Sequence, residues 1–282
     1  MLTGVDFLRI YIGEFARGTL ILGATFATFL GLETLFPRPG ERVSTASRLK
    51  ALVFWSVNGA IGILIAHAIE AVWAPLGLKP LLPSLAPAWL PAPVGLAVGV
   101  LAAAYIGDFF YYWCHRFQHR FLWRFHAVHH SVREMSGITA YHHFTEGLFE
   151  FVLYSVPLSL LTHGADTVPY LGALLAWQGN YEHSPTRLNF GPLGRYFVDN
   201  RFHRIHHSAE PRHFDRNFGI FTTLWDSVFG TAYFPAPGEW PRTGVEEMPE
   251  PATIWAFLTA PARWRAPEAS LEEVRTALPS EV

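Results

Sequence analysis

Eight histidines fall in two short stretches of this chain, and histidine is a common metal ligand. The stretches HRFQHRFLWRFHAVHH (115–130) and HRIHH (203–207) contain His115, His119, His126, His129, His130, His203, His206 and His207. Residues three or four apart on a helix share a face, so these spacings predict imidazoles that converge. Imidazole binds zinc, iron, copper and nickel, and eight imidazoles exceed what one tetrahedral site can use. The pattern therefore predicts two metal ions.

The pattern H-x-x-H-H occurs twice, at 126–130 and at 203–207. This recurrence favours a metal site over histidines that are placed by packing alone. His67 and His163 stand alone in apolar segments, where we expect packed or hydrogen-bonded histidines. His213 follows the second cluster and is expected to be a solvated loop residue.

The composition indicates that these histidines are carried by membrane helices. Hydrophobic residues make up 50% of the 282 residues, charged residues only 16%, and the mean hydropathy is +0.19. Soluble domains carry about 25% charged residues, and a helix needs about 20 largely apolar residues to cross a bilayer. Segments 18–36, 51–69 and 92–113 meet this requirement, and 51–69 contains no Asp, Glu, Lys or Arg.

The apolar piece from Leu148 to Trp177 decides the predicted topology. As one helix it would run about 45 Å, longer than a hydrocarbon core of about 30 Å, and Gly164 and Pro169 interrupt it. A single crossing would put the two histidine clusters on opposite sides of the membrane. We therefore predict a hairpin or re-entrant pair, 148–162 and 168–177, which returns the chain to its starting side.

These segments predict an all-α integral membrane protein. Four membrane helical segments in two hairpins would carry a cytosolic helical cap that holds a histidine-rich di-metal site. Basic residues mark the cytoplasmic side of short connections. Between the first two spans lie Arg38, Arg42, Arg48 and Lys50, whereas only Lys79 lies between the second and third. The metal site is therefore expected on the cytoplasmic side.

The chain divides by composition into three parts that form one structural unit. Residues 1–99 carry N-terminal membrane helices, 100–235 the histidine-rich domain, and 236–282 a polar C-terminal tail. We expect SLEEVRTAL (270–278) to be a short surface helix. The N-terminus lacks the basic and apolar regions of a removable signal peptide.

The same composition excludes several classes of function. The formal net charge of −2 argues against a nucleic-acid partner. One cysteine, Cys114, cannot form an internal disulfide or a thiolate cluster. No Gly-rich phosphate loop or dinucleotide fingerprint is present, so reducing equivalents are expected from another protein.

Ligand type alone does not choose among zinc, copper and iron. A zinc hydrolase needs one metal and commonly an H-E-x-x-H helix, which the chain lacks. A pair of redox-active irons with open positions can activate dioxygen and attack unactivated C–H bonds, and the membrane setting points to a lipid substrate. The alternative is a histidine-rich membrane metal-binding or transport protein without redox turnover. Its ligands would be expected within the spans, whereas these clusters fall just outside them.

The boxes HRFQH, HAVHH and HRIHH, with NFGIFTTLWDSVFGT at 217–231 and His183 in NYEHS, resemble the fatty acid hydroxylase/sterol desaturase superfamily. The resemblance covers roughly 100–235. It implies a four-helix membrane base with a cytosolic cap, two iron ions held by histidines, and O2-dependent hydroxylation, desaturation or demethylation of lipids. Electrons would come from NAD(P)H through a separate redox protein, such as cytochrome b5 or a ferredoxin with its reductase.

Carried over position by position, the resemblance implies nine metal ligands: His115, His119, His126, His129, His130, His183, His203, His206 and His207. Some relatives have a further histidine where this chain has Gly179. Asn180 or a water molecule could take that coordination position, or Asn180 could simply cap or pack.

Metal-bound histidines usually donate their other N–H to a carboxylate or a carbonyl. Asp108 lies two helical turns before His115 on the same face and is the leading candidate for this supporting role. Glu146, Glu182, Asp199 and Asp226 are weaker candidates. We expect His142 and His143 to be supporting or interfacial residues, and the aromatic run 109–113 to form an interfacial belt.

Overall fold

A computed structural model describes residues 4–77, 79, 81–82, 85–161 and 168–264, and within them the protein is helical without a β-strand. Its α-helices are α1 (Gly4–Leu35), α2 (Thr45–Trp73), α3 (Ala92–Phe121), α4 (Trp123–His130), α5 (Glu146–Glu150), α6 (Val156–Leu161), α7 (Val168–His183), α8 (Asn200–His206), α9 (Leu224–Val228), α10 (Ile254–Leu258) and α11 (Ala260–Arg263). A π-helical turn, Phe151–Ser155, joins α5 to α6. The predicted all-α class is confirmed for the described residues.

Helices α1, α2 and α3 are long and apolar enough to cross a membrane. They extend beyond the predicted spans, because α1 already begins at Gly4, α2 continues to Trp73 and α3 continues to Phe121. The most apolar windows of α1 and α2 are only 6% buried within the protein, against 39% for α3. Helix α3 is therefore the central helix, and α1 and α2 present apolar surface outward.

The apolar segment that follows the second histidine box contains two helices, α6 and α7. The break predicted between them, with His163 and Gly164, lies outside the described residues. Leu158 of α6 and Leu171 of α7 pack with Ala103 and Ala104 on α3. Both helices thus lie against the central helix, and α7 ends at His183 beside the other histidines.

The C-terminal segment takes part in the protein core. Met248 is 1% exposed and Phe257 is fully buried, and the Phe257 ring stacks on Phe54 of α2 at a centroid distance of 4.5 Å. Residues 236–264 therefore contribute to the hydrophobic core, although their composition had indicated a polar tail. The predicted helix at 270–278 lies outside the described residues.

The basic connection between α1 and α2 lies against the cap that carries the histidines. Arg38 stacks on Trp240, with 3.9 Å between the guanidinium carbon and the ring centroid. Arg204, inside the third histidine box, approaches Glu41 at 3.4 Å and donates from Nε to the carbonyl of Pro241. The connection between α1 and α2 therefore contacts both the third histidine box and the segment near Trp240.

Candidate metal centre

The nine histidines predicted as ligands come together in two compact groups. Five of them form the first group, His115, His119, His126, His130 and His206. Four form the second group, His129, His183, His203 and His207. Within each group the candidate ligand nitrogens lie within 4.8 Å of one another, and the rings are buried or nearly so.

Each H-x-x-H-H box contributes to both groups, and helix geometry explains the division. In α4, His126 and His130 lie one turn apart and face the first group, whereas His129 faces the second. Adjacent residues on an α-helix point about 100° apart, so the imidazoles of His129 and His130 point towards different groups. We expected each box to converge on a single point, and that expectation is wrong.

The third box repeats this division with the groups exchanged. His203 and His207 lie one turn apart and belong to the second group, whereas His206 belongs to the first. The first group is completed by His115 and His119 of α3, and the second by His183 at the end of α7. The two groups are therefore interlocked through α4 and α8.

The spacing of the Nε2 atoms fits a cation at the centre of each group. In the second group, the Nε2 atom of His183 lies 3.1 Å from that of His129, 3.1 Å from that of His207 and 2.9 Å from that of His203. An imidazole nitrogen carries at most one proton, so it cannot satisfy three neighbouring nitrogens by hydrogen bonding. A metal ion that accepts all four lone pairs can satisfy them together.

The first group has the same feature. His126 Nε2 lies 3.0 Å from His115 Nε2 and 3.1 Å from His130 Nε2. The Nε2 atoms of His119 and His206 are buried and have no hydrogen-bond partner among the described residues. Buried polar atoms normally have partners, so these orphaned acceptors also fit a bound metal.

Several of the opposite ring nitrogens are held by oxygen acceptors, although Nδ1 of His203 and of His207 have no partner among the described residues. Nδ1 of His115 donates to the carbonyl of Phe218 at 2.8 Å, and Nδ1 of His126 donates to Glu146 Oε2 at 2.7 Å. In the second group, His129 Nδ1 lies 3.3 Å from the carbonyl of Tyr141. A proton on Nδ1 leaves the lone pair on Nε2 free, which is the tautomer that a metal requires.

A single loop, 215–218, supplies acceptors to three histidines of the first group. Besides Phe218, the carbonyl of Arg216 accepts from His206 Nδ1 at 2.9 Å, and Asp215 Oδ1 lies 3.5 Å from His119 Nδ1. Asp215 and Asn217 have positive φ values of 55° and 60°. Asp and Asn tolerate this left-handed conformation better than other non-glycine residues.

Asp108 holds the residues that directly follow this loop and makes no hydrogen bond to a histidine, which corrects its expected position. Its carboxylate accepts the backbone N–H groups of Ile220 and Phe221 through Oδ1 and of Thr222 through Oδ2, at 2.9 to 3.0 Å. Asp226 likewise accepts from the N–H groups of residues 218 and 219. Asp108 therefore acts on His115 indirectly, by fixing the loop that carries the Phe218 carbonyl.

Among the other candidate carboxylates, Glu146 has the role first expected of Asp108. Its second oxygen accepts the backbone N–H of His143 at 3.2 Å. Glu182 Oε1 lies 3.7 Å from His203 Nε2, and Asp199 caps α8 through the N–H groups of residues 201 and 202. Sequence spacing did not single out Glu146, because it lies on α5, beyond a loop.

Several other expectations are settled by position. His142 stacks on His129 at a centroid distance of 3.8 Å, so it lies directly beside the second group. His213 is fully buried and bonds to Ser208 Oγ at 2.8 Å, so the prediction of a solvated residue was wrong. Tyr112 is also fully buried, and the run 109–113 is not simply an interfacial belt.

Burial keeps the clustered imidazoles neutral in the metal-free protein. Loss of solvation, together with the nearby imidazoles, lowers the pKa well below its usual value for His126, His129, His130, His203, His206 and His207. Burial lowers the pKa of His183 to about 4. Neutral imidazole is the metal-binding form, so the site is prepared for metal at neutral pH.

A cavity of about 480 Å³ lies beside these groups, and we call it the metal-side cavity. Its polar lining includes His142, Glu146, Glu150, Glu182 and His183, and much of the remaining wall is apolar. Asn180 also lines it but belongs to neither histidine group, and its Nδ2 donates to the carbonyl of residue 176. The cavity brings a space of small-molecule size to the second group.

Comparison with known proteins identifies the segment that carries this site. Residues 100–231 match the family model for fatty acid hydroxylase. The chain is 33% identical to an ornithine lipid hydroxylase of Rhizobium tropici over 143 residues, which are 50% of this chain and 43% of that protein. It is 30% identical to alkylglycerol monooxygenase of Homo sapiens over 132 residues, 46% of this chain and 29% of that protein.

A further relative is a very-long-chain aldehyde decarbonylase of Arabidopsis thaliana, 34% identical over 150 residues, 47% of this chain and 23% of that protein. The chain spans less than half the length of each of these three relatives. No solved structure matches it significantly. The matched segment contains all nine clustered histidines and the loop that orients the first group. Residues 100–231 are therefore a fatty acid hydroxylase family segment, and the relatives that they match belong to the fatty acid hydroxylase/sterol desaturase superfamily.

Proposed function

We propose that this protein is a membrane-bound di-iron oxidoreductase that uses O2 to hydroxylate or desaturate a C–H bond of a lipid. The observation that carries the proposal is the pair of interlocked histidine groups, with Nε2 atoms turned inward and several Nδ1 atoms held by oxygen acceptors. Nitrogen ligands without thiolate suit redox-active iron. The relatives named as a lipid hydroxylase and an alkylglycerol monooxygenase support a lipid as the substrate.

We assign five ligands, His115, His119, His126, His130 and His206, to one iron and four, His129, His183, His203 and His207, to the other. Bound iron would supply the oxidising power that acid–base groups lack. The chain's own residues fix the geometry. Glu146 and the loop 215–218 hold imidazole tautomers, while the buried surroundings keep bulk water away from the reaction.

The lipid would reach the metal groups through the metal-side cavity, which borders His183 and the stacked pair formed by His129 and His142. Asn180 lines this cavity, and its Nδ2 bonds to its own helix, so Oδ1 is the atom through which it could bind a metal. The coordination position for which some relatives have a histidine, at Gly179 in this chain, is left to Asn180 or to a water molecule.

We further propose four membrane segments in two hairpins, with α6 and α7 forming the second hairpin beside α3. The metal groups would then face the cytoplasm, because their cap packs against the basic connection between α1 and α2. Electrons would come from NAD(P)H through a separate cytochrome b5-like or ferredoxin-like protein.

The test is to purify the protein in detergent after iron-replete expression, then measure bound metal and lipid-dependent O2 consumption with a reductant. We expect about two irons per chain and incorporation of oxygen or loss of hydrogen in the lipid. His129→Ala and His206→Ala should each abolish turnover, and Arg212→Ala, at a surface site, is the control. A single tightly bound zinc without iron, or iron without lipid-dependent O2 use, would contradict the proposal. The second result would favour a metal-binding protein without redox turnover.

A further inference from the structure

A second cavity lies between α1 and α2 and borders the metal-side cavity. It has a volume of about 420 Å³, and we call it the tail groove. Trp55, Asn58 and Asn180 line both cavities. The tail groove therefore begins where the metal-side cavity ends.

The groove has the shape and polarity of a site for an alkyl chain. Along α1 its lining runs from Glu14 to Phe26, about 18 Å at the helical rise per residue. Ile21, Leu22 and Ile63 contribute to its mostly apolar wall. Such a groove, formed by two helices that face lipid, can take an apolar chain directly from the bilayer.

The two ends of the groove are defined by hydrogen bonds. At the metal end, Trp55 Nε1 donates to the carbonyl of Ile138 at 3.1 Å, and Asn58 Nδ2 donates to the carbonyl of His142 at 2.6 Å. At the far end, Glu14 Oε2 lies 2.9 Å from His67 Nε2, which confirms that His67 is hydrogen-bonded. The groove therefore has hydrogen-bonded side chains at its metal end and a polar Glu14–His67 pair at its far end. The lining between these two ends is mostly apolar.

Two glycines line the groove at positions where a larger side chain would narrow it. Gly18 of α1 and Gly59 of α2 both line it, and a Cβ atom at either position would meet nothing within 4 Å. A side chain can therefore be added at either position without a backbone clash, and it would project into the space of the groove. These positions allow the groove to be shortened while the metal groups stay intact.

We propose that the tail groove holds the alkyl chain of the lipid substrate while the reacting end lies in the metal-side cavity. The groove then selects lipids by chain length. This inference rests on the proposed function for the identity of the occupant. It adds that Gly18 and Gly59 are specificity-determining residues, although they lie outside the segment shared with the family.

The test uses a palmitic acid analogue that carries a diazirine near its methyl end, with the full-length protein in lipid nanodiscs. After irradiation, we expect labelled peptides from 15–26 and 52–63, and excess palmitic acid should compete while octanoic acid competes poorly. Gly18→Phe and Gly59→Phe should each reduce saturable labelling at least roughly tenfold, since a phenyl ring displaces several buried methylenes. Gly23→Phe is the matched control, because Gly23 lies on α1 outside the groove and its Cβ also has open space.

Labelling that palmitic acid does not compete away, or equal labelling of the Gly59→Phe and Gly23→Phe proteins, would overturn the tail groove. The outcome is independent of turnover. Saturable labelling without lipid-dependent O2 use would refute the proposed function and keep the groove. Lipid oxidation with the same chain-length profile in wild type and Gly59→Phe would refute the groove and keep the proposed function.

Discussion

Replacing Glu146 by glutamine should weaken metal binding in the first group while the shape of the site is kept. Both carboxylate oxygens are used, Oε2 by His126 Nδ1 at 2.7 Å and Oε1 by the N–H of His143 at 3.2 Å. Glutamine offers one acceptor and one donor. If its oxygen faces His126, its NH2 group opposes the N–H of His143. If it flips, His126 must accept at Nδ1 and carry its proton on Nε2, where the metal should bind.

Loss of a partner that orients a metal-bound histidine typically costs 10- to 100-fold in metal affinity, which is about 1.4–2.8 kcal/mol. We expect Glu146→Gln to show this loss for one of the two proposed irons, because the hydrogen bonds of Glu146 go to His126 and His143 and to no histidine of the second group. The measurement is a competitive iron titration of the apoprotein, with Mössbauer spectra of samples loaded to one and two equivalents. Glu134→Gln is the control, since the Glu134 carboxylate bonds to Ser44 and contacts none of the nine histidines. Wild-type affinity at both sites in Glu146→Gln would refute the reasoning.

Three further predictions concern the loop, the pH dependence and the core. Gly219→Ala should lower the thermal stability of the detergent-solubilised protein and its iron content, because a Cβ would lie 2.5 Å from the carbonyl of Thr222; unchanged values for both would count against it. The apoprotein should lose stability as the pH falls from 7 towards 5. The pKa of His183 is lowered to about 4 in the folded protein, whereas a histidine in the unfolded chain has a pKa of about 6.5. Between these values the unfolded chain binds the proton more readily, so acid favours unfolding. A thermal midpoint that stays constant from pH 7 to pH 5 would contradict this prediction. Phe257→Ala should cost about 3–5 kcal/mol of unfolding free energy, whereas Trp255→Ala, at a residue 69% exposed, should cost far less; equal losses in a denaturant titration would argue against the packing described.

The sequence by itself determined the long helices and the histidines that cluster in the fold. Apolar length predicted three long helices, and the two helical segments predicted at 148–162 and 168–177 contain α6 and the first part of α7. The histidine boxes, together with His183, supplied the nine histidines that meet in the structure. These features are local, because helical periodicity and apolar length depend on neighbours in the chain.

Only the tertiary structure decided which histidines share a group and what orients them. His129 and His130 are adjacent in sequence but belong to different groups, because their side chains point about 100° apart on α4, His130 towards the histidines of α3 and His129 towards His183 of α7. Asp108 has the helical spacing expected of a histidine partner, yet its carboxylate is taken by three backbone N–H groups of a loop more than a hundred residues away. Glu146 and the Phe218 carbonyl reach the histidines through contacts of long sequence separation. Periodicity fixes the face on which a side chain lies, whereas long-range packing fixes what that face meets.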